Sequence, residues 1–147
     1  MTGQERADVE ILERAECLAL LATAPVGRVA VPVPGEAPLV VPVNFLLVGE
    51  RVLFRTDYGT VFRRAVLAEQ PVSFQVDEID VATRTGWSVL VAGQASEVGE
   101  WEASSLKLQP WAAGGKDHWV QLEAGSVTGR RLALPEVAGG RDGAGYL

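Results

Sequence analysis

Arg55, Thr56 and Thr60 bracket the tripeptide Asp57-Tyr58-Gly59 just ahead of a helical run. These are the residue types that hold a phosphate. The start of a helix leaves backbone N–H groups without intrahelical partners, and the helix dipole adds partial positive charge there. Arg55 contributes a planar fork of donors, Thr56 and Thr60 contribute hydroxyls, and Gly59 lets the backbone approach closely. The same spacing also suits a plain reading in which Thr60 is only a helix N-cap and Arg55 a solvated strand end.

The elements that must position these groups lie in Val40 to Gln70. Val40, Val41, Val43, Phe45 and Leu47 read as a strand, and Gly49-Glu50 as a two-residue hairpin turn in which glycine supplies positive φ. Arg51 to Thr56 is the return strand, and a helix from Thr60 to Glu69 presents Phe62, Ala65 and Val66 inward. Pro71 blocks its continuation.

The rest of the chain supplies more short strands. Val9 to Thr23 carries apolar residues at three- and four-residue intervals and reads as one helix, ended by Pro25. Val26 to Val33 is the first strand, with a turn at Pro34-Gly35-Glu36-Ala37. Pro32 and Pro42 lack a ladder donor, which places them at an edge or bulge of a barrel that is not fully closed. Val72 to Val76 alternates as a strand, and Asp77 to Thr85 reads as a solvated connection. Gly86 to Val98 is a long strand with an apolar centre on both faces, which points to a second subunit covering one of them. Glu100 to Leu108 reads as a short helix, Trp111 to Asp117 as a loop, and His118 to Glu123 and Val127 to Ala133 as the last strands. The fold class is mainly β: a six- to seven-stranded antiparallel barrel with two or three short helices, in a single domain spanning 1–147 with loosely held ends at 1–8 and 135–147.

Composition excludes several functions. A net charge of −6 over 147 residues argues against nucleic acid, which calls for a basic patch. No long apolar run suggests a membrane span, and the one cysteine, Cys17, reads as buried packing in a protein of the reducing cytoplasm. With one histidine, His118, neither a histidine zinc site nor a Ser-His-Asp triad assembles, so no metal is expected.

The runs Pro42-Val43-Asn44-Phe45, Val52-Leu53-Phe54-Arg55-Thr56 and Gly59-Thr60 together resemble the flavin-binding core of the pyridoxamine 5′-phosphate oxidase-like split-barrel proteins. Gly27-Arg28-Val29-Ala30, Thr85 to Gly93, Asp117 to Val120 and Val127 to Arg130 extend the likeness over Leu12 to Leu132. The resemblance implies a split β-barrel homodimer with flavin mononucleotide (FMN) in interface clefts, or alternatively a deazaflavin or haem. It implies Arg55, Thr56 and Thr60 as phosphate and ribityl contacts, with Val43 and Asn44 against the ring. Many relatives have Lys where this chain has Val61, so Arg63 or Arg64 must turn inward to replace that cation. Trp87 and Ser88 face the partner's flavin on this reading, although Trp87 equally suits a core position. Trp111 and Lys116 are candidates to close over the ring, and a solvated loop is the plain alternative for Lys116. The implied activity is that of a flavin-dependent oxidoreductase acting on a small, flat acceptor, with a non-catalytic flavin-binding protein as the alternative. A true pyridoxamine 5′-phosphate oxidase is not expected, because the segment from Leu134 to Gly143 offers one Arg and no His for a second phosphate.

Overall fold

A computed structural model describes residues 7–112 and 118–134. The elements run β1 (Asp8–Leu12), α1 (Arg14–Leu21), β2 (Val26–Val31), β3 (Leu39–Val48), β4 (Arg51–Thr56), α2 (Gly59–Leu67), β5 (Pro71–Asp80), β6 (Thr85–Glu97), α3 (Glu100–Ala103), β7 (His118–Glu123) and β8 (Ser126–Ala133). Every strand pairing is antiparallel. Strands β6-β5-β2-β3-β4-β7 form a ring that closes where β7 returns to β6, and β8 and then β1 extend the sheet beyond β6. The architecture is thus a closed six-stranded barrel with two extra strands.

Two strands change partners along their length. The first part of β3, Leu39 to Asn44, pairs with β2, and the second, Phe45 to Val48, pairs with β4. In β6, Gly86 to Ala92 pairs with β8, whereas Ala95 to Glu97 pairs with β7. Pro42 lies where β3 has a strand on one side only among the described residues, so its missing N–H costs no ladder bond there. Pro32 lies just beyond the end of β2. The prolines therefore sit at edges as expected, but the barrel is closed.

The interior is filled from alternating positions: Val29 and Val31 of β2, Val52 and Phe54 of β4, Val72, Phe74 and Val76 of β5, and Val89 and Val91 of β6 are all fully or almost fully buried. Phe45 meets Phe74 edge-on at 4.8 Å, and Phe54 meets Phe62 of α2 at 5.3 Å. A Cβ on Gly27 would lie 2.1 Å from the Phe74 ring, so only glycine lets that ring cross β2. Cys17 is buried against Gly129, and burial pushes its thiol pKa up, which keeps it protonated and fits a packing role.

Four sequence expectations need correction. Val9 to Leu12 is an edge strand paired with Gly129 to Leu132, so the first helix begins only at Arg14. The apolar spacing there fits either period, and pairing with β8 decides it. Asp77 to Asp80 is the end of β5, bonded to Thr85 through Ser88, because backbone pairing tolerates side chains that face water on both sides. The helix expected over Glu100 to Leu108 ends at Ala103. The second helix begins at Gly59, with Tyr58 at its N-cap position and no side-chain cap, so Thr60 is not the capping residue.

Candidate functional site

The groove begins where β4 ends. Thr56 is buried, and its Oγ1 accepts the Tyr58 N–H at 2.9 Å, a local bond that turns the chain into α2. The Thr56 hydroxyl proton is still available to an acceptor. Arg55, one residue earlier, alternates with it along β4, and both residues border the same cavity. Its Nη1 donates to the Leu108 carbonyl at 3.3 Å, and its guanidinium lies 5.7 Å from the ring centre of Trp119, its register partner in β7. The arginine fork is thus oriented by its surroundings.

Asn44 closes the other side. It stands at the last β2-paired position of β3, its Nδ2 donates to the Pro25 carbonyl at 3.1 Å, and its Oδ1 accepts the Trp111 N–H at 2.8 Å. Both ends of the amide are committed to backbone, which fixes the rotamer and pins the segment after α3 against β3. That segment is held again at its root. Arg51 of β4 forms a forked pair with Glu102 of α3, at 3.0 and 2.7 Å. The hydrogen bond and charge of Arg51 hold the Glu102 carboxyl below the usual carboxylate range, and Glu102 raises Arg51 in turn.

Between these walls lies a cavity of about 70 Å³ lined by Val41, Pro42, Val43, Asn44, Arg55, Thr56, Asp57, Tyr58, Pro110 and Ala112. It is large enough for a phosphate-sized group and far too small for a three-ring heterocycle, which must lie outside it.

The structure therefore brings Val43, Asn44, Arg55 and Thr56 together, with Trp111 beside them. Thr60 is exposed on the first turn of α2 and lines none of the cavities described here. Arg64 lines a different cavity, with Pro32, Val33 and Pro34, and so does not replace the cation missing at Val61 within this groove. Trp87 is half-buried in a third, wide depression with Arg131 and Leu132, and Ser88 pairs with Arg130 and Asp77 in the ladder. Lys116 lies outside the described residues. Trp119 reads from the sequence as a residue available for stacking, but the Leu108 carbonyl, the Arg51–Glu102 clamp and the contact of Trp119 with Arg55 were missed; β7, α3 and the segment after α3 bring them in. Sequence reasoning also assigned Gly59 to a ligand, whereas a Cβ there would fall 2.4 Å from the His118 ring that lies against the first turn of α2.

The family described as pyridoxamine 5′-phosphate oxidase matches residues 13–131. The chain belongs to that family. Among curated proteins, the pyridoxamine 5′-phosphate oxidase family member here is 36% identical over 136 residues to the uncharacterized protein Rv0080 of Mycobacterium tuberculosis, covering 88% of this chain and 89% of that one. Among solved structures, a FAD binding protein from Mycobacterium smegmatis is 33% identical, with a TM-score of 0.63 over 85% of this chain and 99% of the other. A conserved protein of unknown function from Corynebacterium diphtheriae is 29% identical, with a TM-score of 0.64 over 85% and 98%. A FAD and heme binding protein from M. smegmatis, 20% identical with a TM-score of 0.58 over 90% of this chain and 78% of that one, shares the fold. The donors that line the groove, the Arg55 guanidinium and the Thr56 hydroxyl, fit the phosphate of a flavin nucleotide. Among the described residues no group of His, Cys, Asp or Glu could hold a metal ion, and no helix is long and apolar enough to cross a membrane.

Proposed function

We propose that this protein is a flavin-dependent oxidoreductase working as a homodimer, with the 5′-phosphate of its flavin in the groove between β3, β4 and α2. The observation that carries this is the convergence of Val43, Asn44, Arg55 and Thr56 on one phosphate-sized cavity beside the start of α2. The description of the 33%-identical M. smegmatis relative as a FAD binding protein supports the cofactor class.

The flavin supplies hydride or electron transfer, so the chain need only bind and orient it. Arg55 neutralises the phosphate and Thr56 donates its hydroxyl proton to it. Val43 and Asn44 form the edge along which the ring lies, and Trp111 at the rim excludes water. Dimerisation is supported by the outer face of the extended sheet, where Val9 and Ile11 of β1, Leu90 of β6 and Leu132 of β8 are exposed in the single chain. The acceptor is a small, flat or apolar molecule. Pyridoxamine 5′-phosphate is not the substrate, because among the described residues the groove offers one cation for two phosphates and the net charge of −6 repels a dianion.

Titration with FMN and with riboflavin, which lacks the phosphate, tests the assignment. Arg55→Ala is expected to weaken FMN binding by about 1.5 to 3 kcal/mol, the range for hydrogen bonds to charged groups, and to leave riboflavin binding nearly unchanged. Equal loss for both ligands, or a stable monomer by sedimentation at low micromolar concentration, overturns the respective part of the proposal.

A further inference from the structure

We infer that a second cavity, at the far end of α2, takes the adenylate group of a dinucleotide. Its connection to the flavin groove rests on the function proposed above.

The cavity measures about 250 Å³ and is lined by Pro32, Val33 and Pro34 after β2, by Arg64, Ala65 and Ala68 of α2, and by Gln70. It shares no lining residue with the groove at Arg55. Its volume falls just below the range for whole drug-sized ligands and suits a nucleobase with its ribose. The walls are chemically simple. Two proline rings and a valine give a rigid apolar side, and Ala65 and Ala68 leave the space that larger residues would fill. The polar groups are two. Gln70 carries a donor and an acceptor on one amide, able to meet the edge of a base. Its backbone is fixed by the bond from Gln70 N–H to the Ala65 carbonyl at 2.9 Å, just after Glu69 turns the chain at φ 51°.

Arg64 is the second polar group. Its neighbour Arg63 is paired with Glu97 at 3.1 Å, whereas Arg64 has no carboxylate within ion-pair distance among the described residues. A guanidinium bordering an apolar cavity is a receptor for an anion attached to a flat ring, and its own plane can stack on such a ring. An aliphatic acid would leave Gln70 unused.

One helix carries both sites. The groove borders the residues that lead into α2 and the second cavity borders its last turns, and from Gly59 to Ala68 the axis rises about 14 Å. An extended dinucleotide spans such a distance. An adenylate could also enter as part of a separate nicotinamide donor, and the chemistry recognised in the cavity would be the same.

Calorimetric titration of the full chain, as wild type, Arg64→Ala and Ala68→Phe, decides the matter. Ala68→Phe fills the cavity from an exposed position, so it preserves the fold. If flavin and adenylate belong to one molecule, FAD binds about tenfold or more tightly than FMN, and both variants erase that difference without changing FMN affinity. If they belong to separate molecules, FAD and FMN bind alike and adenosine monophosphate binds the FMN-loaded protein, with both variants abolishing that binding. The inference is overturned if neither effect depends on Arg64, or if Arg64→Ala weakens FMN and FAD equally. Should no flavin bind at all, the proposed function fails by itself. Adenosine monophosphate is then titrated alone while the Gln70 side-chain amide is followed by NMR: an Arg64-dependent shift upholds the cavity assignment and no shift overturns it.

Discussion

The inside of the barrel and the groove on its rim are held by different forces. Inside, position is set by packing: Phe74, Phe45, Val29 and Val91 interlock at full burial, and Gly27 is fixed by the ring that crosses it. On the rim, position is set by polar bonds from side chains to backbone that lies far away in sequence, as with Asn44 to Pro25 and Trp111, and Arg55 to Leu108. Packing is cooperative and resists any change of volume. The polar bonds are separate, so each can be removed while the barrel stands.

The largest effect therefore belongs to the interior. Gly27→Ala adds one methyl within 2.1 Å of a ring with no exposed surface, and is expected to destabilise the fold by about 2 to 3 kcal/mol in chemical denaturation. A loss near zero would mean that the barrel yields as easily as the rim, and the contrast would fail. An intermediate, local effect is expected at the clamp between β4 and α3. Because Arg51 lowers the Glu102 pKa, its contribution is present above the ordinary glutamate range and is lost as pH falls through the lowered value. The protection of α3 and residues 104–112 against hydrogen exchange, taken relative to the intrinsic rate at each pH, should fall on acidification, and Glu102→Gln should show the lowered protection already at neutral pH, with β5 and β6 protected in both. The smallest effect is expected at Thr60. Since α2 begins at Gly59 without a side-chain cap, Thr60→Ala should change stability by less than about 0.5 kcal/mol, against about 1 kcal/mol for the loss of a capping threonine.

This division also decides what could be read from the residues alone. The hairpin at Gly49-Glu50, the inward residues of α2 and the two faces of β6 are legible because local periodicity and turn chemistry encode them, and all stand in the structure. The strand at Val9 to Leu12 is not legible, since both of its apolar outer residues, Val9 and Ile11, are exposed and only the distant β8 makes it a strand. For the same reason Arg55 and Thr56 could be named from the end of β4, whereas their orienting partners, Leu108 and Trp119, could not. Arg64 is the instructive failure: helical spacing puts it one turn from Thr60, but the loop at Pro32 to Pro34 makes a different cavity of its surroundings.

The change of partners along β3 has an evolutionary consequence. From Leu39 to Asn44 the strand is paired on one side only among the described residues, so its other edge offers main-chain groups to whatever lies in the groove. Main-chain recognition does not depend on which side chain a codon specifies. Residues such as Val41 and Val43 can drift between lineages while the edge continues to make the same bonds. Two chains with only 33% of their residues in common can keep one fold, and their divergence can go into the cavities at either end of α2.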